Sequence, residues 1–91
     1  MKTYKSVWDA IESSPSAAAS MKAKSQLMRA LDKTIRAWGV SQKAAADRMG
    51  LSQPRLSDLL RGKIENFSLD TLFDLAGRSG LKVSLALGRA A

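Results

Sequence analysis

The side chains best suited to chemistry lie in one short stretch, SQPRLSDLLRGK, at positions 52–63. Gln53 carries an amide and Arg55 a guanidinium, both within the first turn of a helix that Ser52 can cap. Glutamine pairs through two hydrogen bonds with adenine, and arginine pairs in the same way with the O6/N7 edge of guanine. If this helix enters a DNA groove, the side chains in place to contact bases are Ser52, Gln53, Arg55, Ser57 and Asp58. This stretch therefore predicts recognition by hydrogen bonding rather than catalysis.

The composition argues against most catalytic and metal-binding chemistry. The 91 residues include no histidine and no cysteine, so the commonest general base, the commonest metal ligand and any disulfide are missing. We therefore expect no enzyme, no metal and no cofactor. Because no segment is long and apolar enough to cross a bilayer or to serve as a signal peptide, we expect a soluble, cytoplasmic protein.

The net charge points to a polyanionic partner. Fifteen Lys and Arg residues against eight Asp and Glu residues give a net charge of +7, which favours nucleic acid before membrane. Lys2 and Lys5 are balanced by Asp9 and Glu12, so the whole excess lies in residues 21–91. The alternative explanation is a basic surface that serves only solubility.

Apolar spacing and capping residues predict four helices. They run over residues 17–38, 42–49, 53–61 and 69–79, with serine before each start (Ser16 for the first helix) and glycine after each end. The polar stretch 12–20, which contains Pro15, is predicted to be a hinge. Residues 1–15 are expected to form a flexible arm, and residues 16–91 the folded domain.

The last apolar segment changes period from 3.6 to 2, which predicts a β-strand over residues 81–87. Its apolar face consists of Leu81, Val83, Leu85 and Leu87. A lone strand leaves its backbone hydrogen bonds unsatisfied, so we expect it to pair antiparallel with the same strand of a second copy. Pairing with the arm at residues 3–8 is the alternative.

Residues 42–61 match the requirements of a helix-turn-helix. Ala46 is small where the two helices nearly touch, and Gly50 permits a left-handed turn between them. The apolar residues expected to hold the two helices at a near-perpendicular angle are Ala45, Met49, Leu51, Leu56 and Leu59. In such a motif the second helix enters the major groove, whereas a generic helical hairpin would leave the polar residues as solvated surface.

The segment SQKAAADRMGLSQPRLSDLLRGK (41–63) resembles the Xre-type, lambda-repressor-like helix-turn-helix. With W-D-A, K-A-K-S-Q-L-M, F-S-L-D-T-L and L-K-V elsewhere, the chain resembles HigA-like antitoxins. The resemblance implies a mainly α bundle of four to five helices with a C-terminal strand for dimer pairing. It further implies a bacterial, nucleoid-associated homodimer. This homodimer would repress its own operon at double-stranded operator DNA and neutralise a RelE/HigB-like mRNA-cleaving toxin.

Further contacts are expected around the motif. Gln42 matches the phosphate contact of that family, and the other candidates are Lys43, Arg48, Arg61 and Lys63. Asp58 repels phosphate unless it accepts from cytosine N4, so we expect an intramolecular pair with Arg55 or Arg61 rather than the base contact.

The arm has two possible roles. Its side chains Tyr4, Val7, Trp8 and Ile11 are the expected toxin contacts, unless Trp8 packs back on its own domain. A stand-alone or phage-type Xre regulator without a toxin remains an alternative for the whole chain. So does a protein-interaction module that uses the fold only as a scaffold.

Overall fold

The computed structural model describes residues 15–88, which form a mainly helical bundle of four α-helices and one 3₁₀ turn. The helices are α1 (Pro15–Ala37), α2 (Gln42–Met49), α3 (Gln53–Leu60) and α4 (Leu69–Arg78), and the 3₁₀ turn (Ile64–Asn66) precedes α4. Helix α1 packs on α3, α4 and the 3₁₀ turn, while α2 packs on α3 and α4. The mainly α class and the two-helix motif are confirmed.

Three of the helices start as their capping residues predict. The Oγ atoms of Ser41, Ser52 and Ser68 accept the backbone N–H of the residue three positions on, at 3.1, 3.2 and 3.1 Å. These bonds satisfy amide groups that have no partner inside the helix. At the other end of α2, Gly50 adopts the left-handed conformation with φ 68°. The turn between α2 and α3 therefore follows from residues inside the turn itself.

The start of α1 differs from the prediction. Pro15 and Ser16 already belong to the helix, so Ser16 does not cap it, and residues 15–20 are helical rather than a hinge. Proline is tolerated in a first turn, and the alanines that follow favour helix. Although α1 has 23 residues, no helix in the described part of the chain is long and apolar enough to span a bilayer.

The core joins α1 to both helices of the motif. Its largest fully buried side chains are Leu31, Met49, Leu56, Leu59, Phe67, Leu72 and Leu75. Leu31 comes from the predicted stripe of α1, and Leu56 and Leu59 lie on one side of α3. Helices of eight residues are marginal in isolation, so α2 and α3 depend on this core for both their stability and their orientation.

The predicted strand is not confirmed. Residues 81–88 form neither helix nor strand, and residues 15–88 contain no strand that could pair with them. Leu81 packs against the core, whereas Val83, Leu85 and Leu87 are 41, 76 and 93% exposed. Because a strand is defined by hydrogen bonds to a neighbouring strand, the pairing with a second copy stays a prediction.

The predicted toxin-binding side chains Tyr4, Val7, Trp8 and Ile11 lie outside the described residues. Their role stays a prediction.

Candidate nucleic-acid interface

The N-terminus of α3 presents its polar side chains to solvent. Ser52, Gln53 and Pro54 are all exposed, while Leu56 and Leu59 on the inner side of the helix are buried. Pro54 lies in the first turn, where the N–H that it lacks would have had no helical partner. The amide of Gln53 is therefore accessible on a helix end that is held by the core, which suits a contact inside a DNA groove.

Arg55 has contacts within the chain. Its Nη1 donates to the backbone carbonyl of Asn66 at 2.6 Å, and its Cζ lies 4.0 Å from the centroid of the Phe67 ring. The side chain of Phe67 is 1% exposed, so the ring under the guanidinium is fixed by the core. The predicted base contact of Arg55 thus competes with a charge-assisted hydrogen bond and a cation–π contact.

Asp58 also contacts the loop that follows α3. Its Oδ1 lies 3.7 Å from Nζ of Lys63, and its Oδ2 accepts from Nδ2 of Asn66 at 3.3 Å. The expected intramolecular pair exists, but its partner is Lys63, and the prediction of Arg55 or Arg61 is wrong. The reason is the chain reversal at Gly62, where φ is 73° and the N–H of Lys63 donates to the carbonyl of Asp58 at 3.0 Å.

The predicted phosphate contacts lie on the surface of the motif. Gln42, Lys43, Arg48 and Arg61 are exposed, and Lys63 is partly exposed. Lys43 pairs with Asp47 at 3.6 Å, and the guanidinium of Arg48 stacks 3.9 Å from the ring centroid of Trp38. Gln42 is the first residue of α2, so the free amides of that helix end add positive potential beside it.

Two side chains that support the motif were missed in the sequence. Asn66 lies in a segment that was predicted only as a loop, and Arg78 lies in the last turn of α4. Nη1 of Arg78 donates to the backbone carbonyl of Met49 at 3.2 Å, and its Nε pairs with Asp74 at 2.9 Å. The pair with Asp74 follows from helical spacing, but the contact with Met49 joins residues 29 positions apart.

The Arg78 contact makes Gly50 unusually sensitive to substitution. A residue with a side chain at position 50 would have to keep φ 68°, and its Cβ would meet the guanidinium of Arg78. Gly39 has a similar φ of 65°, but a Cβ added there would meet no other atom. We expect Gly39→Ala to lower the free energy of unfolding by about 1–2 kcal/mol through backbone strain. Gly50→Ala should lower it by about 1 kcal/mol more, because Arg78 loses its hydrogen bond to Met49.

Urea denaturation of the two variants, followed by circular dichroism, measures both losses. An equal loss in the two variants would contradict the role assigned to Arg78.

Together these features define the class of protein. Helices α2 and α3 are short, are joined by a left-handed glycine and share a core with the long α1, and the start of α3 is exposed and polar. This arrangement is a helix-turn-helix DNA-binding domain. Across residues 15–88 no group of three or more His, Cys, Asp or Glu side chains is placed to hold a metal ion.

Comparison with known proteins gives the family. A protein-family model described as a helix-turn-helix domain matches residues 10–88, and the chain belongs to this family. A solved structure described as a transcriptional regulator assigned to the XRE family has 33% sequence identity and a TM-score of 0.72. That match covers 80% of this chain and 82% of the other, and no curated protein matches. The chain is thus an XRE-type DNA-binding regulator, while the HigA-like part of the resemblance stays a prediction.

Proposed function

We propose that this protein is a homodimeric transcriptional repressor that inserts α3 into the major groove of operator DNA. The observation that carries the proposal is the exposed start of α3, where Ser52 and Gln53 face solvent on a helix anchored by buried Leu56 and Leu59. A rigid helix end with accessible hydrogen-bonding groups is what contact with base edges requires.

Gln53 is the leading base contact, because its amide pairs with adenine and no intramolecular hydrogen bond of the described residues engages it. Ser52 contributes a hydroxyl at the same end of the helix, although its Oγ also accepts the N–H of Arg55. Ser57, one turn further on, is partly exposed. The other predicted base contacts, Arg55 and Asp58, are held to the loop by the bonds described above.

Cationic side chains around the motif provide the affinity that does not depend on sequence. Arg61, at the C-terminal end of α3, is exposed and none of the ion pairs found in residues 15–88 includes it. Each phosphate that a protein neutralises contributes about −0.9 to the slope of log affinity against log salt on B-DNA.

Replacing Arg61 with alanine should make this salt slope shallower by about 0.9 and weaken binding to all duplexes alike. Fluorescence anisotropy with a duplex selected by the wild-type protein, at several salt concentrations, measures the slope. Lys33→Ala, which removes an exposed charge from α1 outside the motif, is the matched control and should leave the slope unchanged. An unchanged slope for Arg61→Ala would place Arg61 outside the interface.

We propose that the dimer forms through residues 81–87 of two copies. Val83 and Leu85 line an open groove with Leu27 and Phe73, and this apolar surface continues to the exposed Leu87. Pairing of two such segments across a twofold axis would satisfy their backbone and cover these side chains. It would also place two α3 helices for two half-sites of a palindromic operator.

We also propose that the protein is an antitoxin, and the HigA-like resemblance supports this role. The arm would bind a RelE/HigB-like toxin through Tyr4, Val7, Trp8 and Ile11. A stand-alone or phage-type regulator has the same DNA-binding domain, so the motif does not separate the two. A toxin-like reading frame beside the gene for this protein would favour the antitoxin.

Deleting residues 1–14 should abolish neutralisation of that neighbouring toxin, because the apolar side chains that bind it are removed. Growth of cells that express the toxin together with either form of the protein measures neutralisation. Operator binding by the shortened protein is the control and should be retained, since α1 to α4 remain. Growth rescued equally by both forms would rule out the arm as the toxin-binding segment.

A further inference from the structure

Asn66 links α3 to the loop at two points. Its backbone carbonyl accepts from Nη1 of Arg55 at 2.6 Å, and its side-chain amide donates to Oδ2 of Asp58 at 3.3 Å. The ring of Phe67, next in the chain, lies under the guanidinium of Arg55 at 4.0 Å from Cζ. We name these four residues, Arg55, Asp58, Asn66 and Phe67, the loop clamp. The clamp joins the side of α3 next to its buried face to a segment that is itself anchored in the core.

The clamp matters because α3 has only eight residues and cannot hold its own orientation. Leu56 and Leu59 bury one face of the helix and anchor it to the core, but apolar contacts are not directional. A guanidinium that is both stacked and hydrogen-bonded has a much narrower range of positions, since its plane and its donors are fixed together. The contacts of Arg55 with Asn66 and Phe67 therefore add a directional restraint to the first turn of α3, which includes Gln53.

We propose that Arg55 is a positioning residue, which sets the rotation of α3 so that Gln53 meets the base edges, and that it contacts no base itself. The inference rests on the proposed function and goes further, because it assigns the specificity of this helix to Gln53 rather than to an arginine–guanine pair. A base contact of Arg55 would give a preference at a base pair of its own, whereas a positioning role predicts that only the preference read by Gln53 depends on Arg55.

The test compares Arg55→Ala with the wild-type protein on a duplex that the wild type selects from a random pool, and on every single base-pair substitution of it. Arg55→Ala should lower affinity for the selected duplex by roughly tenfold, which corresponds to one charged hydrogen bond. The loss should fall on the preference at the base pair that Gln53 reads, which Gln53→Ala identifies, and the other base preferences should be kept. Phe67→Leu, a change in the core, should weaken the preference at the same base pair. Arg55→Lys should recover part of the affinity, because an ammonium can still donate to the carbonyl of Asn66.

Loss in Arg55→Ala of a preference at a base pair that Gln53→Ala leaves intact would show a base contact of Arg55 itself and would overturn the proposal whatever happens to stability. Affinities are compared at equal folded fraction, as measured by circular dichroism, so that partial unfolding does not imitate a loss of binding.

A double-mutant cycle of Arg55→Ala and Phe67→Leu on urea stability needs no DNA. The combined loss should be smaller than the sum of the two single losses, and strict additivity would overturn the proposal. If the wild-type protein selects no duplex, the proposed function fails. The cycle alone then decides whether Arg55 holds α3 to the loop.

Discussion

Replacing Leu85 and Leu87 together with serine is expected to convert the dimer to a monomer and to lower operator affinity by about 10²-fold or more. Both side chains are largely exposed in the single chain, at 76 and 93%, so the change removes contacts that only a second copy can supply. A monomer binds one half-site at a time, and it loses the high effective concentration that a linked second α3 provides. Serine is neutral, so the electrostatic attraction to DNA is unchanged.

Size-exclusion chromatography with light scattering measures the oligomeric state of this variant, and anisotropy measures its operator affinity. The double variant keeps Leu81, which packs against the core, and its free energy of unfolding at low protein concentration should equal that of the wild-type monomer. A shorter form that ends at Gly80 is a second variant and should also be monomeric. A dimer that persists in both variants would refute pairing through residues 81–87. It would also remove the reason for expecting a strand there.

Replacing Gln53 with alanine is expected to lower operator affinity by about 1–3 kcal/mol and to remove the preference for adenine at one position of each half-site. The amide makes paired hydrogen bonds with adenine, and no other side chain of the first turn of α3 has the same donor and acceptor pattern. Because Gln53 is exposed, the free energy of unfolding should change by less than about 0.5 kcal/mol. Affinities for the selected duplex and its single base-pair substitutions measure the effect.

Gln42→Ala is the matched control, because it makes the same chemical change at the first residue of α2. Gln42 is predicted to contact phosphate, so its loss should weaken binding to all sequences equally and leave the base preferences intact. If Gln53→Ala binds every duplex as the wild-type protein does, the DNA-binding proposal is wrong for α3. A protein-interaction module that uses this fold as a scaffold would then be the better explanation.

The sequence by itself determined the features that depend on neighbours within about four residues, since capping bonds and helical spacing are local. Ser41, Ser52 and Ser68 cap their helices because the oxygen of each lies within reach of its own first turn. Gly50 forms the left-handed turn because its backbone adopts that conformation at little cost. These local features place the motif at residues 42–61 and expose Gln53 at the start of α3. The prediction of Ser16 as a cap was wrong, because the alanine-rich stretch after Pro15 continues the helix.

Only the tertiary structure decided how α3 is held and which polar side chains remain for a partner. Arg55 meets the carbonyl of Asn66 eleven positions away, and Arg78 meets that of Met49 twenty-nine positions away. Such contacts depend on how the helices pack, and no periodicity along the chain reports that packing. Asp58 pairs with Lys63 rather than with an arginine because the left-handed turn at Gly62 sets which side chain returns to it. The sequence therefore identified the groups that suit DNA recognition, and packing determined which of them are held within the protein.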